Sequence, residues 1–301
     1  MNCTLESWPE PIVRVQSLSD SGITVIPEQY IKPPSDRPTT TTTPSEYNIS
    51  IPIIDLSHLL SPDSTLRQVT MSQVTSACRE WGFFQAVNHG VSHDLITRMR
   101  EPTLPLSCRE LVAEYGNELA MLCGKLMKVF SVNLGLEEDY LQKAFGGEEV
   151  GACLRVNYYP KSPQPDLTLG LSPHSDPGGM TLLLPDEHVS GLGGMDWVSV
   201  KPVPNAFIVN IGDQIQVISN ATYKSVEHRV IVNSEKERVS IAFFCNPVGN
   251  IPIEPAKELI KEEEEEPGAL YQAMTFNEYR MFIRRMGPCG KSQVNSLHFP
   301  R

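Results

Sequence analysis

Basic residues are scarce in this chain. Its 301 residues carry 25 Lys and Arg against 36 Asp and Glu, a net charge of −11. An acidic chain does not neutralise phosphates, which argues against nucleic acid and anionic membrane surfaces as partners. No apolar run approaches the ~20 residues of a membrane span. The N-terminal stretch MNCTLESWPEP has neither a basic nor an apolar region, so no secretory signal is visible. No CxxC pair occurs. The seven cysteines (Cys3, Cys78, Cys108, Cys123, Cys153, Cys245 and Cys289) are odd in number and widely scattered. That is the pattern of reduced thiols, not of a disulfide framework. These absences point to a cytoplasmic protein, with the nucleus also open to it, and a monomer is expected. What is present is enough apolar content, 40%, to build a sizeable core.

Residues 1–50 are rich in Pro, Ser and Thr and read as a loose surface arm, with a threonine run at 39–43. Trp8, Val13 and Leu18 are its possible anchors. Residues 51–150 form a mainly helical region. A strand is expected at 51–56, a helix capped by Asp63 and running to about Glu80, a strand at 82–87, and a short helix capped by Ser92. A brief connection, 101–107, leads to a long helix over about 108–133. Leu111, Tyr115, Leu122, Leu126 and Val129 form its stripe and Gly135 its C-terminal cap. A short helix follows at about 137–145. From Ala152 the pattern turns to short β-favouring runs at 154–158, 180–184, 197–200, 206–210, 214–218, 227–232 and 239–244, separated by turn residues. This predicts an α+β chain whose residues 151–250 form an antiparallel jelly roll. Residues 251–301 supply an acidic run at 261–266 and a final helix at 276–285. Arg280 and Arg284 share one face of that helix.

Within residues 171–184 the sequence reads LSPHSDPGGMTLLL. On an extended strand His174 and Asp176 point to the same side. An imidazole and a carboxylate make two thirds of a metal site, and His228 on a later strand is the candidate third. Two histidines and one carboxylate with open coordination positions suit non-haem Fe(II) oxygen chemistry. Taken alone, His228 also fits a core or surface histidine. Arg238 and Ser240 alternate around Val239, so both point one way. An inward Arg needs an anion, because a buried unpaired charge is costly, and its planar fork suits a carboxylate. An exposed Arg on an edge strand is the other reading. Asn157 and Tyr159 precede the metal motif on a strand and offer polar groups nearby. His89, in VNHGV, reads as a turn residue.

In combination, WGFFQAVNHG at 81–90, NYYP at 157–160, HxD, a distant His and RxS ten residues after it resemble the plant 2-oxoglutarate/Fe(II)-dependent dioxygenases. The resemblance runs from Ile51 to Gly290. It implies that a double-stranded β-helix holds Fe(II) on His174, Asp176 and His228. Arg238 and Ser240 would hold the distal carboxylate of 2-oxoglutarate, with Asn157 and Tyr159 at its chelating end. O2 is consumed, succinate and CO2 are released, and ascorbate serves as reductant. Phe244 matches a position where family members stack substrate. Three long stretches, 152–186, 200–244 and 274–292, look like the jasmonate-induced oxygenases, which hydroxylate jasmonic acid to 12-hydroxyjasmonate and damp a plant defence signal. In that branch Arg155, Arg280 and Arg284 are the expected clamp for the substrate carboxylate. A solvated helix face is the bland alternative for Arg280 and Arg284. Flavonoid oxidation, as in anthocyanidin synthase and flavonol synthase, is the alternative activity. Those relatives often carry Lys where Arg155 stands.

The chain departs from the family in two places. Relatives place several dozen residues where 101–107 stands, and a longer hairpin where 190–197 stands. The expected jelly roll therefore lacks some family strands and part of the cleft wall. A third reading follows, a shortened form that binds metal and 2-oxoglutarate with little or no turnover.

Overall fold

The computed structural model describes residues 14–38, 50–101, 108–186, 192–194, 198–260, 268–287 and 292–298. The expectations for Trp8, Val13, 39–43, 102–107, 190–191, 195–197 and 261–266, and for Cys3 and Cys289, lie outside the described residues.

The helical layer is set by local signals. The Asp63 carboxylate accepts hydrogen bonds from the backbone N–H groups of Thr65 and Leu66 and starts α2 (Ser64–Ser76). A cap of this kind stabilises a helix by about 1 kcal/mol. The helix loosens into a π-turn, Ala77–Trp81, and stops at Gly82, whose φ is 68°. A Cβ there would meet both the Lys224 carbonyl and the Val226 side chain, so only glycine fits. Two strands, β1 (Ile53–Asp55) and β2 (Phe83–Val87), pair in parallel. Ser92 precedes α3 (His93–Arg100), but its hydroxyl makes no cap bond. The long helix α4 (Arg109–Asn133) buries Tyr115, Leu119, Leu122, Leu126 and Phe130. Leu119 and Phe130 take the place expected for Leu111 and Val129, which are only partly buried. Leu134 and Gly135, at φ 78°, end it, and α5 (Tyr140–Ala144) follows.

The strand-rich half forms two sheets. The larger adds β3 (Gly151–Tyr159), β5 (Met180–Leu184), β8 (Phe207–Ile211) and β10 (Arg238–Asn246), in the order β1-β2-β8-β5-β10-β3. The smaller contains β4 (Leu171–His174), β6 (Leu192–Gly194), β7 (Val198–Ser199) and β9 (His228–Val230), in the order β4-β9-β6-β7. Alternation gives the larger sheet two different faces. Leu182, Leu184, Val209, Ile211, Ile241 and Phe243 join the core beneath α4. Thr181, Asn210, Ser240 and Phe244 turn the other way, toward the small sheet, and line a cavity with His174 and His228. This is the expected jelly-roll core with flanking helices.

Two expectations change. Residues 214–218 are not a strand. Asp213–Ile218 is a helix, α6, with all but one of its residues buried. A short apolar run is ambiguous between a buried strand and a buried helix. Here Gln214 and Gln216 find hydrogen-bond partners only as helix side chains reaching in different directions. Residues 14–38, with α1 (Val15–Asp20), are not loose. Ile26 is buried and its N–H donates to Gln164 Oε1 at 3.0 Å. The Lys32 N–H donates to the Leu167 carbonyl at 2.9 Å, and its Nζ to Ser172 Oγ at 2.7 Å. These bonds fix the arm against the segment leading into β4.

At the C-terminal side, β11 (Pro252–Ile253) pairs with β12 (Met274–Thr275). A reciprocal Thr275–Glu278 capping box opens α7 (Phe276–Met286). A last helix, α8, spans Ser292–Asn295. The five described cysteines are free thiols. No described helix is long and apolar enough to cross a membrane.

Candidate active site

Strands β4 and β9 are paired, with His174 opposite His228, so two histidines far apart in sequence become cross-strand neighbours. Their rings lie 4.2 Å apart between centroids. Asp176, two residues past His174, completes a group whose ligand atoms all lie within 4.8 Å of one another. It is the grouping of metal-binding type found among the described residues.

The hydrogen bonds around this group leave one metal-ready atom on each residue. His174 Nδ1 lies 2.9 Å from the Ser172 carbonyl, and His228 Nδ1 lies 3.2 Å from the Val226 carbonyl. A carbonyl only accepts, so each Nδ1 carries the proton and each Nε2 keeps its lone pair. Both Nε2 atoms face Asp176 Oδ1, at 3.6 and 3.7 Å. The other carboxylate oxygen, Oδ2, accepts from Thr181 Oγ1 and Asn210 Nδ2, each at 2.6 Å. One oxygen is therefore occupied and the other points at the histidines. Burial pushes the Asp176 carboxyl upward, but His228, His174 and these two hydrogen bonds outweigh it and hold the group below the usual carboxylate range. Burial pushes His228 down to about 4 despite the neighbouring Asp176, so its imidazole is neutral. A carboxylate and neutral imidazoles are the forms that ligate. These donors fit a divalent cation.

Next to this group is a buried cation with free hydrogen-bond donors. Arg238 is 4% exposed, and its Nε and Nη1 have no hydrogen-bond partner. Its guanidinium bonds the Tyr159 hydroxyl and lies 5.2 Å from that ring's centroid. Register places Ser240 beside Asn157 and Arg238 beside Tyr159 across β10 and β3. All four line the same cavity of about 60 Å³ as the three metal-type residues, with Phe244 at its wall. Burying a guanidinium with unmet donors is costly, and an incoming carboxylate would offset that cost.

Not every candidate reaches the cavity. Arg155 is exposed at its edge, its guanidinium carbon 5.8 Å from the Phe244 ring centroid. Arg280 and Arg284 are exposed on α7 and stand apart from the cavity lining, and Arg280 lies over the ring of Phe276 at 5.5 Å. The sequence reading also overlooked residues behind the site. Asn210 was detectable as the one polar side chain in the strand FIVNI. Thr181 passed as an ordinary strand residue. Asp213, fully buried and raised by burial to about 6, gave no signal because Gly212-Asp213 reads as a turn between strands.

Comparisons with known proteins agree with this geometry. Residues 150–247 match the 2OG-Fe(II) oxygenase superfamily, and residues 51–103 match the N-terminal region of the non-haem dioxygenase in morphine synthesis. Jasmonate-induced oxygenase 2 of Arabidopsis thaliana is 49% identical over 99% of this chain and 96% of its own length. Jasmonate-induced oxygenase 1 of the same plant is 49% identical over 98% of this chain and 88% of its own. A crystal structure of JOX2 in complex with 2OG, Fe and JA superposes with a TM-score of 0.85 at 47% identity, covering 98% of this chain and 100% of that one. The alignment with the first relative extends over 361 positions against a chain of 301 residues, so that relative carries residues with no counterpart here. The chain belongs to the 2OG-Fe(II) oxygenase superfamily, alongside the jasmonate-induced oxygenases, and uses Fe(II) and 2-oxoglutarate.

Proposed function

We propose that this dioxygenase hydroxylates jasmonic acid to 12-hydroxyjasmonate and so lowers jasmonate signalling. His174 Nε2, Asp176 Oδ1 and His228 Nε2 would hold the iron. Arg238 and Ser240 would bind the distal carboxylate of 2-oxoglutarate, and Asn157 and Tyr159 would flank its other end. Bound iron, with 2-oxoglutarate and O2, supplies the oxidising power for an unactivated C–H bond, and succinate and CO2 leave; ascorbate keeps the iron reduced. The protein's own work is orientation and the exclusion of water.

The observation that carries the substrate class is a guanidinium, that of Arg155, at the cavity edge beside Phe244. Arg280 and Arg284 share the exposed face of α7, whose buried Tyr279 packs against the segment behind the metal-type residues. A guanidinium at the cavity edge suits a small carboxylic acid better than a neutral polyphenol. The relative solved with JA supports the same choice.

The test is product analysis after aerobic incubation with Fe(II), 2-oxoglutarate and ascorbate. Jasmonic acid should gain one oxygen atom, while flavanones and dihydroflavonols stay unchanged. Turnover of the flavonoids with jasmonate untouched would reassign the enzyme to the anthocyanidin synthase and flavonol synthase type. Arg155→Ala should raise the jasmonate KM about tenfold or more, the range for a lost charge-assisted contact, with little change in the KM for 2-oxoglutarate.

A second reading rests on the residues that relatives have and this chain lacks. An incomplete cleft wall positions substrate poorly, and misplacement by about 1 Å costs on the order of 10²-fold in rate. On this reading 2-oxoglutarate binds normally and jasmonate turnover is slow. The free cysteines support a cytoplasmic location, which a fluorescent fusion of the full chain would test.

A further inference from the structure

Behind the metal-type residues is a polar network that none of the roles above uses. Helix α6 is short and almost wholly buried, yet three of its first four residues are polar. Each reaches a different part of the site. Asp213 Oδ2 accepts from Ser175 Oγ at 3.2 Å, and Ser175 is the residue between His174 and Asp176. The Asp213 N–H donates to the Asp176 carbonyl at 2.8 Å. Gln214 Nε2 donates to the Pro177 carbonyl at 3.0 Å. Gln216 Oε1 accepts from the Ser225 N–H at 2.7 Å, three residues before His228. The same helix is tied to the C-terminal segment by two tyrosine hydroxyls. Tyr279 Oη donates to Asp213 Oδ2 at 2.6 Å, and Gln216 Nε2 donates to Tyr271 Oη at 2.8 Å. Gly212 lets α6 approach this closely, since a Cβ there would strike the Gly178 carbonyl.

We infer that Asp213 and Tyr279 are positioning residues: through Ser175 and the Asp176 backbone they hold the His174–Asp176 segment in place, so that metal affinity depends on the Tyr279–Asp213–Ser175 hydrogen bonds. The inference rests on the assignment of His174, Asp176 and His228 as iron ligands. Its physical basis is that a ligand set preorganised by buried hydrogen bonds binds tightly. Partners behind the ligands typically contribute 10–100-fold in metal affinity. The network also connects the helix bearing Arg280 and Arg284 to the metal segment, which neither the charge pattern nor the metal motif implies.

The experiment measures Mn(II) affinity of the full chain by EPR, with 2-oxoglutarate present, alongside melting temperature. Tyr279→Phe removes one hydroxyl and should weaken Mn(II) about tenfold or more. Asp213→Ala should do the same, while Asp213→Asn, which keeps an acceptor for both hydroxyls, should recover most of the affinity. Glu278→Ala breaks the α7 cap without touching Asp213 and serves as a matched loss of stability. It should lower the melting temperature and leave Mn(II) affinity within about threefold, far below the change expected from a direct partner. Wild-type affinity in Tyr279→Phe, or an equal loss in Glu278→Ala at the same melting temperature, would overturn the inference. Absence of Mn(II) binding by the wild type, or its persistence in His174→Ala, would instead overturn the ligand assignment.

Discussion

The Asp176 carboxylate condenses the chemistry of the site into two oxygen atoms. Oδ2 is held by Thr181 and Asn210, and Oδ1 faces two imidazole nitrogens. A carboxylate fixed in this way is set to ligate through one oxygen and leave other coordination positions open. Arg238 is the complementary residue, a buried cation with two unbonded nitrogens. Arg238→Ala should raise the 2-oxoglutarate KM about 100-fold or more, a bidentate charge-assisted contact being worth about 3 kcal/mol or more when desolvated. Arg238→Lys should recover only part of that, because an ammonium lacks the planar fork. Initial rates at varied 2-oxoglutarate check both. At this scale the sequence was legible where residue types were chemically out of place. His174, Asp176, His228 and Arg238 are charged or metal-seeking side chains on or beside strands rich in β-favouring residues. Thr181 and Ser175 were not legible, since a hydroxyl on a strand or turn has many ordinary uses. His89 has the plain role expected of it. Its Nδ1 accepts from the Val91 N–H and its Nε2 meets the Asn205 carbonyl, which fixes a turn.

Among the elements, capping and alternation carried over well and length-limited apolar runs did not. The helix α2 begins where Asp63 stands, and Asp63→Ala should lower global stability by about 1 kcal/mol with activity intact. Urea unfolding checks it. Strand β5 falls where its apolar run and bounding glycines place it. Helix α6 was hidden because QIQVI satisfies a strand's alternation as well as one helical turn, and only the tertiary partners of Gln214 and Gln216 decide between them. The arm at 14–38 was hidden for a related reason. Its anchoring is through backbone N–H groups and one lysine, which composition does not display.

For the molecule as a whole, an exposed edge of the larger sheet is β3. This strand ends the larger sheet, and among the described residues no strand pairs with its second edge. Val156 and Tyr158 on it, with Val239 beside them on β10, are 55%, 39% and 42% exposed. An open edge beside apolar side chains invites strand pairing between molecules. Val156→Lys should therefore reduce concentration-dependent aggregation, followed by light scattering, with a melting temperature unchanged within error. The folded site should also be stabilised by its ligands. Mn(II) and 2-oxoglutarate, each at about 100 times its dissociation constant, should each add about 2.7 kcal/mol to stability, and Arg238→Ala should abolish the share due to 2-oxoglutarate.

In the proposed function, one cavity couples 2-oxoglutarate oxidation to hydroxylation of a small carboxylic acid. This coupling is tested most directly by measuring succinate and hydroxylated jasmonate together, from the purified chain with Fe(II), ascorbate and 2-oxoglutarate, with and without jasmonic acid. Succinate release should be stimulated by jasmonate, with hydroxyjasmonate formed alongside it, and Arg238→Ala should give far less of both at 2-oxoglutarate concentrations near the wild-type KM. Succinate release indifferent to jasmonate, from a folded protein that binds Mn(II) and 2-oxoglutarate, would contradict the coupling.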